Sequence, residues 1–193
     1  ANWHSFEYDE LLRIKATSRP SATGVETSRT SYTGLSQTLT DAKGIARTTR
    51  HNVLGQIVQV TEGNGASQMS YTYSAFGQLL SSKANGIVIS HVYDGVGNKV
   101  ATQDPSLGRV SYAYNGFGDV VRQTDAKGQS TLTSYDALGR VINQRDPSAT
   151  SAYQFDQGAY AKGQLNKVTT TGTAGVHTRT VGFNNKGLPY SEV

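Results

Sequence analysis

The sequence has no cysteine, one methionine, one tryptophan and only four prolines in 193 residues. Without cysteine there are no disulfide staples and no thiolate metal sites, although the redox compartment stays open. Charged residues make up 17%, below the typical ~25%, and no block of five like charges occurs among the 18 Lys+Arg and 14 Asp+Glu. A groove for nucleic acid needs clustered cations interleaved with stacking aromatics. The densest basic cluster, Arg47-Thr48-Thr49-Arg50-His51, is short and reads as a solvated strand edge, so no nucleic-acid partner is expected. No apolar run approaches the ~18 residues of a membrane helix, so no membrane span is expected. The first residues are not expected to be a signal peptide. Met69 is the only methionine, which points to an interior segment of a longer protein and leaves export unjudged.

Small hydroxylic and turn-forming residues take the place of what is missing. Ser and Thr number 41, Gly 21, and 11 of the 17 aromatics are Tyr. Thr, Val and Ile together supply 44 residues, which suits pleated strands. The aromatic content argues against disorder, and the length suits one domain, or part of a larger one, with enough chain to bury a core.

Self-similarity is the main signal. Tyr93-Asp94-Gly95-Val96-Gly97 recurs as Tyr114-Asn115-Gly116-Phe117-Gly118 and as Tyr135-Asp136-Ala137-Leu138-Gly139. Upstream lie Tyr73-Ser74-Ala75-Phe76-Gly77 and, more weakly, His51-Asn52-Val53-Leu54-Gly55. The glycines from Gly55 to Gly139 are 22, 20, 21 and 21 residues apart. A second mark falls between them: Thr40-Asp41-Ala42-Lys43-Gly44 returns unchanged at 124–128, and Asp104-Pro105-Ser106-Leu107-Gly108 is a variant. Asp or Asn with Gly three residues later is a tight-turn signature, because the short side chain accepts from nearby N–H groups and Gly supplies positive φ. Each period of ~21 residues thus holds two turns and two strands of about six or seven residues. The expected fold is all-β, a chain of hairpins laid side by side in one long antiparallel sheet. Tyr71 with Tyr73, and Tyr112 with Tyr114, share a sheet face by their spacing of two.

The array is read as a single domain over 1–193, with degenerate repeats at 1–49, regular ones at 50–146, and diverged ones carrying an insertion at 147–193. Glu7–Ile14 fits a short helix with Tyr8, Leu11 and Leu12 on one stripe. It also fits a worn repeat with Leu12 in the glycine position, and this strand-turn reading is favoured. In the insertion, Phe155-Asp156 is followed only at Gly163-Gln164-Leu165 by the delayed glycine.

These motifs resemble the YD repeat of the RHS family, roughly Y-D-x-x-G-x-[LVI]. Residues 93–97 and 135–141 match it well, with His51, Ser74 and Lys99 as departures. The family includes secreted bacterial Rhs proteins, C components of insecticidal toxin complexes, wall-associated proteins and teneurins. The resemblance implies a curved sheet wound into a hollow β-shell that encloses a C-terminal toxin domain. It implies a non-enzymatic wall segment, secreted or at the bacterial cell surface, whose partners are flanking repeats and a toxin domain of the same polypeptide. A carbohydrate-binding or adhesive surface module, with cell-surface glycans as partners, is the alternative. A fragment of such an array would carry exposed edge strands at both ends.

No cofactor, metal or catalytic site is expected. His4, His51, His91 and His177 are scattered, and no nucleophile or zinc motif occurs. Asp104, Asp125 and Asp146 repeat every second strand, ~10 Å apart, and Asp94 and Asp136 stand twice as far apart. That is too far to share a calcium ion held at ~2.3–2.6 Å, so turn-capping accounts for them. Asp104-Pro105 and Asp146-Pro147 superficially resemble the self-cleaving aspartate region of RHS toxins, but they sit at ordinary inter-repeat turns. The residues singled out are therefore structural: Tyr73, Gly77, Tyr93, Asp94, Gly97, Tyr114, Gly118, Tyr135, Asp136 and Gly139. The tyrosines are expected to pack a sheet face.

Overall fold

A computed structural model describes residues 3–192. It contains eighteen strands of antiparallel sheet and no α-helix among the described residues. The chain falls into two compact units, one through His91 and one from Val92. The first holds β1 (Ser5–Tyr8), β2 (Ile14–Ser21), β3 (Gly24–Thr33), β4 (Ser36–Thr40), β5 (Ala46–His51), β6 (Ile57–Glu62), β7 (Ser67–Tyr73), β8 (Leu79–Ala84) and most of β9 (Ile87–Tyr93). The second holds β10 (Lys99–Asp104), β11 (Gly108–Tyr114), β12 (Val120–Thr124), β13 (Ser130–Tyr135), β14 (Val141–Arg145), β15 (Ala149–Phe155), β16 (Leu165–Gly172), β17 (Gly175–Phe183) and β18 (Pro189–Glu192). Within each unit every strand pairs with its neighbours in sequence, a meander of two strands per repeat.

Little apolar surface is fully buried. Among the described residues only Ala16, Val60, Ala101 and Ala161 are buried apolar side chains, and none is large. The physical reason is that no second layer covers the sheet in either unit. In β7 and β11 half-buried and exposed positions partly alternate, and the polar side chains bond across the sheet instead. Hydroxyl pairs link Ser18 to Thr27 (2.9 Å), Thr38 to Thr48 (2.8 Å), Thr72 to Ser81 (2.7 Å), Thr124 to Ser130 (2.9 Å) and Ser151 to Thr170 (2.9 Å). The abundance of Ser and Thr is explained by these cross-strand contacts.

Glu7–Ile14 is strand and turn rather than helix. Tyr8 pairs with Ile14, Leu12 N–H donates to the Asp9 carbonyl at 3.0 Å, and Leu12 sits at φ +59° in the glycine position. The insertion also keeps its turn: Asp156 N–H donates to the Gln164 carbonyl at 3.1 Å, and Gly163 N–H reaches the Asp156 carboxylate.

A feature not foreseen is a β-bulge one residue beyond most of the tyrosine-type turns. Tyr114 pairs with Val120, yet Ala113 pairs with Arg122, leaving Val121 as the extra residue. The same shift leaves Lys15, Val58, Leu80, Ile142 and Asn166 unpaired. The identical turns at 40–44 and 124–128 carry no such shift. The bulge bends the strand locally and strengthens its twist.

Candidate functional site

The repeated tyrosine is a strand's last residue at Tyr73, Tyr114 and Tyr135 and the last but one at Tyr32. From there its hydroxyl donates to a main-chain carbonyl of the preceding repeat: Tyr32 to Ile14 (3.2 Å), Tyr73 to Ile57 (2.8 Å), Tyr114 to Lys99 (2.8 Å) and Tyr135 to Val120 (2.9 Å). In each case the acceptor is the first residue of the strand that leaves the previous turn. The tyrosines are half-buried and clasp neighbouring repeats together. Burial pushes the Tyr114 hydroxyl above its usual range, helped by Tyr112 and Asp94.

The next residue closes the turn. Asp94 Oδ1 accepts from Val96 N–H (3.1 Å) and Asn98 N–H (2.8 Å), and Gly97 N–H donates to the Asp94 carbonyl (3.2 Å). Asp136 accepts from Leu138 N–H (2.9 Å) and Arg140 N–H (3.0 Å), with Gly139 N–H on its carbonyl at 3.0 Å. Gly139 has φ +74°, a left-handed conformation that glycine adopts without strain. Gly77 and Gly118 donate to the carbonyls of Ser74 (3.0 Å) and Asn115 (3.2 Å) in the same way. Tyr93 ends β9 immediately before this turn.

Sequence reasoning missed a second partnership inside these turns. In most tyrosine-type turns the capping residue and the residue four positions on complement each other, whereas Asn184 is followed by Leu188. Asp94 accepts from the Asn98 amide (3.1 Å), whereas Asn115 donates to Asp119 (2.9 Å). Asn52 donates to Gln56 (2.8 Å), and Asp136 accepts from Arg140 Nε (2.7 Å). The available signal was the residue after each glycine, whose type changes with the capping residue. Arg140 also reaches Asp156 (2.8 Å) and lies 4.4 Å from the Phe155 ring centre, so it ties two repeats together. Arg13 does the same over Tyr32 at 4.1 Å.

These contacts set the carboxylates' acidity. The Arg13 side chain holds Asp9 below the usual carboxylate range, and the Arg140 backbone N–H and guanidinium lower Asp136 despite partial desolvation. Desolvation opposes ionisation of Asp94 most, but the Asn98 and Val96 bonds outweigh it. The Ser148 hydroxyl and N–H lower Asp146. All are depressed, as capping carboxylates should be.

No group of His, Asp and Glu able to hold a metal occurs among the described residues. One concavity lies in the second unit under the insertion, a cleft of about 590 Å³ lined by Gln154, Gln157, Tyr160, Asn166, Phe183 and Tyr190 among others. Asn166, the bulged residue, is buried; it accepts from Gln157 N–H (2.7 Å) and so anchors the loop. No described helix is long and apolar enough to cross a membrane.

The RHS Repeat family profile matches residues 93–131 and 114–151. No curated protein matches in sequence. Among solved structures, crystal structures of TcdB2-TccC3, with and without the hypervariable C-terminal region, are similar at TM-score 0.74 and 18% identity. The likeness covers 97% of this chain and 12% of those chains. The Photorhabdus luminescens Tc holotoxin pore is similar at the same TM-score and identity, over 99% of this chain and 12% of that one. At this identity the likeness establishes a shared fold.

Proposed function

Because this chain belongs to the RHS/YD-repeat family, we propose that it is a wall segment of a larger secreted or surface-displayed bacterial β-shell protein, whose flanking repeats complete the shell around a C-terminal toxin domain. The supporting observation is the fold shared over 97% of this chain with proteins of which it spans 12%. The internal chemistry agrees. Tyrosine, Asp and Gly of the motif are spent on clasps and turn caps, which suits a structural, non-enzymatic role. The test is limited proteolysis of the full-length parent. A C-terminal domain that resists protease until the repeats are unfolded supports enclosure; one cleaved at the rate of a free domain overturns it.

The cleft under the insertion favours a second reading as a carbohydrate-binding module. Aromatic rings beside amide groups suit a neutral sugar. Binding of neutral oligosaccharides by this chain, abolished by Tyr190→Ala, is the expected outcome of that reading. A glycan array without signal above background removes it.

A further inference from the structure

We propose that the apolar tips of the turns at one edge of the sheet form a joint between two copies of this chain. In a meander, turns after odd-numbered strands lie at one edge and turns after even-numbered strands at the other. At the odd edge, the residue two after the capping side chain is Leu54 or Phe76 in the first unit, and Val96, Phe117 or Leu138 in the second. Their exposures are 70%, 91%, 85%, 94% and 75%. At the same turn position on the even edge stand Lys43 and Lys127.

The turn itself does not require this difference. Phe117 N–H donates to Asn115 Oδ1 at 2.9 Å, and Lys127 N–H donates to Asp125 Oδ1 at 2.9 Å. Only the backbone of this residue serves the local fold, and lysine serves equally well. Scattered apolar exposure is ordinary, but recurrence at one position along one edge marks a contact surface. Leu107 is the one comparably exposed even-edge tip among the described turns, and Lys186 occupies the position in the last odd-edge turn.

A like row is the best-fitting occupant. In the second unit the residue before each tip is small (Gly95, Gly116 and Ala137), so bulk alternates with gaps at a pitch of roughly 10 Å, two strand spacings. One row can therefore set its knobs into the gaps of another by a two-fold operation. The Asp136 carboxylate is paired with Arg140 at 2.7 Å. Each tip offers on the order of 100–200 Å². Three tips of the second unit alone then bury roughly 600–1,200 Å² over two copies when fully covered, a range that reaches the lower bound for a specific contact. This inference does not rest on the shell reading.

The test is sedimentation velocity of this chain over roughly 1–200 μM. A concentration-dependent dimer is expected, with Phe117→Ser plus Leu138→Ser weakening it at least about tenfold and Lys127→Ser leaving it unchanged. As a check that does not rely on those variants folding, Ala137→Cys should cross-link under mild oxidation and Lys127→Cys should not, since the chain has no native cysteine. A monomer throughout the range, equal cross-linking at both positions, or an undiminished dimer in the double variant overturns the proposal. So does flotation with phosphatidylcholine vesicles that the double variant loses, which would assign the row to a lipid surface.

Discussion

At the residue scale, Leu12 shows what the glycine of the motif does. It holds φ +59° with its side chain 82% exposed, so it bears the cost of a left-handed backbone with little packing in return. A non-glycine residue there costs about 1–2 kcal/mol, partly offset by glycine's greater unfolded-state entropy. Leu12→Gly should stabilise the chain by about 0.5–1 kcal/mol, read as a higher urea midpoint at unchanged slope; no gain would mean that the turn relaxes around leucine. Tyr135→Phe removes the bond to the Val120 carbonyl and should cost about 0.5–1.5 kcal/mol by the same measurement. The capping carboxylates add a pH dependence. Asp9, Asp94, Asp136 and Asp146 titrate lower folded than unfolded. Their contribution is complete above the unfolded value of about 4 and disappears as pH falls through the folded values. Urea midpoints should therefore drop on acidification below about pH 4, and Asp94→Asn plus Asp136→Asn should flatten that decline.

At the element scale, the hairpin is legible from local sequence because each of its requirements is local. The capping side chain, the glycine and the terminal tyrosine all fall within five residues, so the turns at 93–97, 114–118 and 135–139 could be read directly. The bulges were not legible. Whether Val121 or Ile142 pairs depends on how far one strand slides along its partner, and no residue type announces that. Whether a face is covered was not legible either: alternation shows that a strand has two faces, not whether a second layer covers either. The partnership of positions 115 and 119 provides a test of the element. Asn115→Asp sets two carboxylates against each other, where Asn115 now donates to Asp119, and should destabilise the hairpin. Adding Asp119→Asn should restore stability, giving a coupling energy of about 0.5–3 kcal/mol in a double-mutant cycle.

At the scale of the whole molecule, strands of each unit touch only their neighbours in sequence, so stability should behave as a sum of local terms. Within the second unit, Tyr135→Phe should speed amide exchange in β12 to β14 while leaving β16 and β17 unchanged. Uniform acceleration across the unit would show a cooperative body instead. The tyrosine clasp carries one more consequence. Its acceptor is always a main-chain oxygen, so the side chain above that oxygen is free to drift, as Lys99 beside Val120 and Ile57 illustrates. A fold encoded this way fades from the letters sooner than from the architecture. That is how a family profile can recognise only 93–151 in a chain whose fold is similar almost from end to end to a solved structure of 18% identity.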